Sequence, residues 1–147
     1  MLKKNIAIII PAYNEEKNLL KLVKSIRKNI DSYIVIVDDS VSYKTAKLFK
    51  KNNFKNLLFI HRKKKLGRGS AVTLGLKKII KKKEINCFIE MDADFSHNPD
   101  ELKRHIKKFN NDSLDLLICS RYLVKSKIIN WPLQRTFLSK FTNVIAK

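Results

Sequence analysis

The chain has 147 residues, 44% of them hydrophobic, which is enough for one domain with a real core. It carries 32 Lys and Arg against 13 Asp and Glu, a net charge of +19 at pH 7. Such a charge attracts anions of many kinds, from nucleotides to acidic lipid head groups, and it does not specify a fold. No segment reaches about 18 continuous apolar residues, so we expect no transmembrane helix. The first apolar run lacks a signal-peptide cleavage site, which predicts a cytoplasmic protein.

Short apolar runs alternate with segments of helical periodicity along the chain. Five runs are predicted as strands: 5–10, 32–37, 56–60, 86–91 and 114–119. Five helices are predicted: one after Asn14, which would be its N-cap, and others at 42–53, 70–83, 99–109 and 132–146. Strands that alternate with helices indicate βαβ units. We therefore predict one α/β domain over 1–147, with a mainly parallel sheet and helices on both faces.

The two cysteines lie far apart in the sequence. Cys87 and Cys119 each fall within a predicted strand, and neither belongs to a closely spaced metal-binding pair. We predict two buried thiols in a reducing compartment.

Acidic or polar side chains follow three of the predicted strands. Glu15-Glu16 comes after the first strand, Asp38-Asp39 after the second and Asp92-x-Asp94 after the fourth. The carboxyl ends of parallel strands share one edge of the sheet, and open α/β sheets bind ligands there. Carboxylates at that edge can accept hydrogen bonds from ribose hydroxyls and base N–H groups. Helix capping is the structural alternative, but the convergence favours a nucleotide-binding edge.

Asp92 and Asp94 stand one residue apart at the predicted end of the fourth strand. Side chains alternate along a strand, so this spacing can direct both carboxylates to one point. Two neighbouring carboxylates favour a hard cation such as Mg²⁺ or Mn²⁺, which commonly binds substrate phosphates as well. The tripeptide is common, and capping of the following turn is the alternative interpretation.

The segment 61–69 is strongly basic and contains two of the three glycines. Its Gly67-Arg68-Gly69 sequence does not fit a dinucleotide fingerprint, because Val72 stands where a third Gly or Ala is needed. We predict a flexible basic loop in which Arg68, together with 63–65, faces a phosphate. A solvated run of charges is the alternative.

Five motifs occur in the order seen in family 2 glycosyltransferases of the GT-A (Rossmann-like) fold. They are Pro11-Ala12-Tyr13-Asn14-Glu15-Glu16-Lys17-Asn18-Leu19, Val37-Asp38-Asp39-Ser40, Gly67-Arg68-Gly69-Ser70-Ala71, Met91-Asp92-Ala93-Asp94-Phe95-Ser96-His97 and Ser120-Arg121-Tyr122. The last two most resemble dolichyl- or polyprenyl-phosphate mannosyltransferases. The second motif departs from the family, because it lacks the Asp-Gly pair that usually follows. Family domains also usually continue further, so this nucleotide-sugar-binding domain is expected to lack the C-terminal acceptor-side part.

The resemblance implies roles for individual residues. The resemblance implies nucleotide binding by Pro11, Tyr13, Glu15, Asp39 and Asp92. Arg68, predicted above to face a phosphate, completes the predicted nucleotide-binding set. The metal, Mg²⁺ or Mn²⁺, would be bound by Asp92, Asp94 and Ser96. Arg121 and Arg135 would contact the acceptor phosphate, and the catalytic set would be Asp92, Asp94 and Arg121. Trp131 and the apolar stripe after it would face the lipid or the membrane.

The implied reaction is an inverting, metal-dependent transfer of a hexose, with mannose the expected sugar. The donor would be a nucleotide sugar, GDP-mannose or a UDP-hexose, and the acceptor a polyprenyl or dolichyl phosphate. The implied partners are that lipid, the cytoplasmic face of a membrane and a membrane protein. One alternative is a catalytically inactive nucleotide-sugar-binding remnant. The other is a basic nucleic-acid-binding module, but no reader motif is present, so we expect no nucleic-acid partner.

Overall fold

The computed structural model describes residues 5–120, 123 and 132–145. Four strands form one sheet: β1 (Asn5–Ala12), β2 (Tyr33–Asp38), β3 (Leu57–His61) and β4 (Ile85–Glu90). The α-helices are α1 (Glu16–Asn29), α2 (Lys44–Asn52), α3 (Arg68–Ile79), α4 (Leu102–Asn111) and α5 (Leu133–Ile145). All strand pairs are parallel, in the order β3-β2-β1-β4. The predicted α/β fold with a parallel sheet is therefore confirmed.

Apart from Asn5 and Asp38 at their ends, the two central strands carry no charged or amide side chains, because helices cover both of their faces. Ile8 and Ile10 of β1 belong to a core cluster that includes side chains of α1, α2 and α4. Ala7 of β1 belongs to a second cluster with Val35 and Val37 of β2 and with side chains of α3. A strand that is buried on both faces has a continuous run of apolar residues, and this pattern in the sequence predicts both strands.

The turn between β1 and α1 differs from its prediction. Asn14 is not the N-cap, since its φ is 58° and its backbone N–H donates to Ser40 Oγ at 2.8 Å. Glu15 occupies the cap position without a side-chain cap bond. Asparagine tolerates the left-handed conformation better than most residues, so it can turn the chain here. The bond to Ser40 ties the carboxyl end of β1 to that of β2.

The helix α3 begins at Arg68, two residues before its predicted start. Gly67 precedes it with a φ of +90°, a conformation that disfavours side chains with a Cβ. Arg68 and Gly69 therefore belong to the first helical turn and not to a flexible loop. Further along, Gly75 lies so close to β1 that a Cβ there would approach Ile9 Cγ2 to 2.7 Å.

The predicted fifth strand at 114–119 is wrong. These residues have no regular secondary structure, and Leu116 and Ile118 are 72% and 75% exposed. An apolar run forms a strand only where a neighbouring strand edge pairs with it, and within the described residues β4 pairs with β1 alone. Cys119, predicted to be buried, is exposed, whereas Cys87 is buried as predicted.

The helix α5 confirms the helix predicted at 132–146 to within a residue or so at each end. Several of its apolar side chains are exposed, among them Phe137, Leu138 and Phe141. None of the helices in the described part of the chain has the length and apolarity needed to cross a bilayer.

The turn that leads into α4 depends on a side-chain cap. Asn98 Oδ1 accepts a hydrogen bond from the backbone N–H of Asp100 at 3.1 Å, at the start of a short 3₁₀ turn (Pro99–Glu101). We expect Asn98→Ala to lower the free energy of unfolding by about 1 kcal/mol, because a helix N-cap bond is lost. Chemical denaturation measures this. Asn98→Ser should retain most of the stability, and equal losses in the two variants would contradict the capping role.

Candidate functional site

The strand order creates a crevice at the carboxyl edge of the sheet. From β1 the chain runs to β2 on one side, and it later returns to place β4 on the other side of β1. Such a topological switch point is where open α/β sheets bind their ligands. A cavity of about 300 Å³ lies here. Its lining includes seven of the residues predicted from the sequence: Pro11, Tyr13, Glu15, Asp39, Arg68, Asp92 and Asp94.

Among the predicted site residues that the structure describes, Ser96 does not line this cavity. Ser96 stands beside it, hydrogen bonded to Asp94 through its backbone. Arg121 and the side chain of Arg135 lie outside the described residues, as does Trp131. The acceptor-side assignments therefore stay predictions.

The end of β1 supplies one wall of the cavity. Pro11 and Ala12 are the last residues of the strand, and Tyr13 follows in the turn to α1. Lys65, from the loop before α3, places its Nζ 4.5 Å from the centroid of the Tyr13 ring. A cation over an aromatic face is favourable, so the ring and the basic loop support each other across the cavity.

Asp38 and Asp39 are both buried but have different partners. Asp38 Oδ1 accepts hydrogen bonds from the backbone N–H of Ser40, at 3.0 Å, and from its hydroxyl. Its other oxygen is 3.4 Å from His61 Nδ1. These bonds fix the end of β2, and Asp38 does not line the cavity. Asp38 therefore has a structural role, and Asp39 is the one of the two that reaches the site.

The carboxylate of Asp39 forms a bidentate ion pair with Arg62. Arg62 Nε lies 2.5 Å from Asp39 Oδ1, and Nη2 lies 2.8 Å from Oδ2. Oδ2 also accepts from the backbone N–H of Leu66 at 2.8 Å. Arg62 is not among the site residues predicted from the sequence. A signal was present, because Asp38-Asp39 stands at the end of β2 and His61-Arg62 at the end of its neighbour β3.

Arg68 lies opposite two carboxylates at the carboxyl end of β4. Its Nη1 is 2.6 Å from Glu90 Oε1, and its Nε and Nη2 are each 3.0 Å from Asp92 Oδ1. The prediction for Arg68 was a phosphate partner, whereas the structure pairs it with two carboxylates. Glu90 was not predicted as a site residue. Its position two residues before Asp92, at the end of the same strand, was the available signal.

The segment 92–97 folds back on itself in a tight turn. The backbone N–H of Asp92 donates to His97 Nδ1 at 3.2 Å, and that of Ser96 donates to Asp94 Oδ1 at 2.9 Å. Partial burial opposes ionisation of Asp94, but its hydrogen bonds with Ser96 outweigh this and hold the pKa of the carboxyl below its usual value. The nearby His97 acts in the same direction. Asp94 thus shapes the turn and also presents an ionised carboxylate to the cavity.

The donor set suits one class of metal ion. Within the described ranges, no three or more His, Cys, Asp or Glu side chains are grouped so as to hold a metal by themselves. Mg²⁺ and similar ions commonly bind through one or two carboxylates plus substrate phosphates. Asp92 and Asp94, which line one cavity from one turn, fit this kind of shared site.

The sequence matches a known family over nearly its whole length. Residues 7–146 match the model of the family described as Glycosyl transferase family 2. The chain is 34% identical over 139 residues to the dolichol-phosphate mannosyltransferase of Pyrococcus furiosus, covering 92% of this chain and 38% of that protein. It is 33% identical over 144 residues to the polyprenol monophosphomannose synthase of Mycolicibacterium smegmatis, covering 95% of this chain and 54% of that protein. The chain thus spans only part of the length of these relatives.

Solved structures share the fold. S. aureus TarS 1-349 superposes with a TM-score of 0.63 at 23% sequence identity, over 86% of this chain and 38% of that chain. The same protein in complex with UDP gives a TM-score of 0.62. With its parallel sheet and the cavity at its switch point, this chain belongs to glycosyl transferase family 2 and has the GT-A fold.

Proposed function

We propose that this chain binds a nucleotide sugar in the cavity at the carboxyl edge of the sheet and transfers its hexose to a polyprenyl or dolichyl phosphate. Mannose is the sugar that we propose first. One observation carries the proposal. Seven residues predicted from separate parts of the sequence line a single cavity at the switch point of the sheet. The names of the two curated relatives, a dolichol-phosphate mannosyltransferase and a polyprenol monophosphomannose synthase, support the choice of sugar and acceptor.

The nucleoside would occupy the wall formed by the end of β1. Pro11 and Tyr13 offer apolar and aromatic surface to a base, and the carboxylates of Glu15 and Asp39 can accept hydrogen bonds from its N–H groups or from the ribose hydroxyls. TarS, which has the same fold, is known in complex with UDP, and this supports a nucleotide as a ligand of this chain.

The diphosphate would lie between Arg68 and the turn after β4. Asp92 and Asp94 would hold Mg²⁺ or Mn²⁺, with Ser96 completing the shell directly or through water. When bound, the ion would neutralise charge on the departing diphosphate. The guanidinium of Arg68, already at the cavity, can donate to phosphate oxygens as readily as to carboxylates.

The transfer step needs positioning more than acid–base chemistry. An oxygen of the acceptor phosphate would bond to the anomeric carbon while the bond from that carbon to the diphosphate breaks, with inversion. The nucleoside diphosphate leaves with the electron pair. A phosphate oxygen is already ionised at neutral pH, so no strong base is required. Arg121 and Arg135 are the residues proposed to hold the acceptor phosphate.

The acceptor is a lipid, so the protein would work at a membrane surface. The exposed apolar side chains of α5 and the net charge of +19 support peripheral contact with an anionic bilayer, proposed here as its cytoplasmic face. Each basic residue close to such a surface contributes about 1 kcal/mol. A membrane protein is a proposed further partner.

A thermal-shift panel tests the nucleotide site. GDP-mannose, UDP-hexoses and the free nucleotides would be compared with and without Mn²⁺. We expect a rise in Tm that requires both nucleotide and metal, because a ligand at about 100 times its Kd stabilises by roughly 2.7 kcal/mol. No shift with any nucleotide would contradict the proposal. Tighter binding of duplex DNA than of any nucleotide sugar would favour the nucleic-acid alternative.

A catalytically inactive remnant is the second candidate. The described lining of the cavity contains groups that can bind a nucleotide sugar, and binding alone does not require turnover. Turnover of GDP-mannose with a polyprenyl phosphate and Mn²⁺ separates the candidates. Binding without turnover would support the remnant, and formation of the mannosyl lipid would support the transferase.

A further inference from the structure

We propose that Arg62 is a positioning residue of the nucleotide site, which it supports without lining the cavity. It holds the Asp39 carboxylate and the loop 63–67 together, so that Asp39, Lys65 and Arg68 meet at the cavity. This inference rests on the proposed function, because it names a residue on which nucleotide binding depends.

Every nitrogen of the Arg62 guanidinium is engaged. Nε and Nη2 bind the two oxygens of Asp39, and Nη2 also lies 3.3 Å from the backbone carbonyl of Gly67. Nη1 donates to Ser70 Oγ at 2.6 Å. The side chain is only 11% exposed. One partly buried group thus links the end of β2, the end of the basic loop and the first turn of α3.

The loop is held on the same carboxylate from its other side. The backbone N–H of Leu66 donates to Asp39 Oδ2, so Arg62 and Leu66 share one acceptor. The bonds at Leu66 and Gly67 position their neighbours Lys65 and Arg68, which both line the cavity. Lys65 lies over the Tyr13 ring, and Arg68 contacts Asp92.

The chemistry requires arginine at this position. The buried Asp39 carboxylate needs a paired cation, since removing one partner of a buried ion pair leaves an uncompensated charge. The planar fork of arginine can bind both carboxylate oxygens and still donate to Ser70 and Gly67. A lysine ammonium can replace the charge but not this geometry.

Arg27 provides a matched control. It is also a partly buried arginine that donates to the backbone, contacting the carbonyls of Ser32, Lys55 and Asn56. Those residues precede β2 and β3, at the amino edge of the sheet, opposite the cavity. Loss of Arg27 should therefore reduce stability without changing the nucleotide site.

The test compares Arg62→Lys with Arg27→Lys. Amide hydrogen exchange of the free protein reports whether Leu66 remains bonded, and calorimetric titration with GDP-mannose and Mn²⁺ reports affinity. For Arg62→Lys we expect exchange at Leu66 to rise, and affinity to fall, by about tenfold or more, the usual effect of losing a hydrogen bond to a charged group. For Arg27→Lys we expect both to stay at the wild-type level. Ser70→Ala removes the partner of Nη1 together with the bonds from the Ser70 hydroxyl to the carbonyls of Leu66 and Gly67. Because the ion pair with Asp39 is kept, this variant should change both in the same direction by a smaller factor.

Wild-type exchange at Leu66 and wild-type affinity in Arg62→Lys would overturn the proposal. So would an equal loss of affinity in Arg27→Lys, because the effect would then be general destabilisation. If Arg62→Lys does not fold, an unchanged Leu66 and unchanged affinity in Ser70→Ala would overturn it instead. Failure of the wild-type protein to bind any nucleotide sugar would contradict the proposed function, while exchange at Leu66 would still decide whether Arg62 holds the loop.

Discussion

Replacement of Asp94 by alanine is expected to abolish metal-dependent binding of nucleotide sugar while leaving the fold intact. Asp94 is exposed and outside the core, and its bond to the backbone of Ser96, a hydrogen bond to a charged group, is worth about 1.5 kcal/mol at such an exposed site, too little for its loss to unfold the domain. As a proposed metal ligand it should matter far more for binding. Loss of even an outer-shell partner costs 10- to 100-fold in metal affinity, so we expect a loss of at least about 100-fold. Calorimetric titration with GDP-mannose and Mn²⁺ measures this.

Asp112→Ala is the control for that variant. It removes the same charge, but Asp112 pairs with Lys108 at 2.6 Å on the exposed end of α4. Its titration should match that of the wild-type protein. Unchanged binding in Asp94→Ala would refute the metal assignment, and an equal loss in Asp112→Ala would mean that net charge, not coordination, determines binding.

Replacement of Gly75 by valine is expected to destabilise the fold by about 3 kcal/mol, towards the upper end of the usual cost of overpacking a core. A Cβ at this position would lie 2.7 Å from Ile9 Cγ2 and 3.5 Å from side-chain atoms of Val35 and Val37. Ile9 is fully buried and cannot move without disturbing β1. The helix α3 must therefore separate from the sheet. Chemical denaturation gives the change in the free energy of unfolding.

Gly69→Val provides the comparison within the same helix. No atom lies within 4 Å of a Cβ built at Gly69, which is in the exposed first turn. Because valine has a better helix propensity than glycine, this variant should be neutral or slightly more stable. Similar losses at both positions would show that contact with Ile9 is not what requires a glycine at position 75.

The fold was predictable where burial alone determines the structure. The runs that form β1 and β2 are covered on both faces, so their apolar character is continuous in the sequence. The run at 114–119 looks the same locally but has no pairing strand in the described structure. Whether an apolar run pairs depends on a distant strand edge, which local periodicity does not encode. Asn14 illustrates a local ambiguity, because asparagine favours both N-caps and left-handed turns.

The carboxylates of the site could be predicted from the sequence, but the ion pairs that they form with arginines could not. The positions of Asp39, Asp92 and Asp94 after strands were enough to bring them to one edge. The partners of these residues depend on register and helix start. Asp38 pairs with His61 in the sheet, which brings the next residues, Asp39 and Arg62, together. Because α3 starts at Arg68, the guanidinium of this residue contacts Asp92. No local pattern in 61–69 predicted this contact.

The lining of the cavity has a consequence for how the protein selects among anions. Four acidic residues line the cavity, whereas Lys65 and Arg68 are the only basic residues in the described part of the chain that do so. The surface as a whole concentrates anions near the protein, while the described lining of the crevice carries an excess of negative charge. A diphosphate that binds together with a divalent cation brings positive charge into the crevice, so the negatively charged lining does not repel it. Ionic strength should therefore weaken general anion binding more than it weakens binding of a metal-bound diphosphate in the crevice.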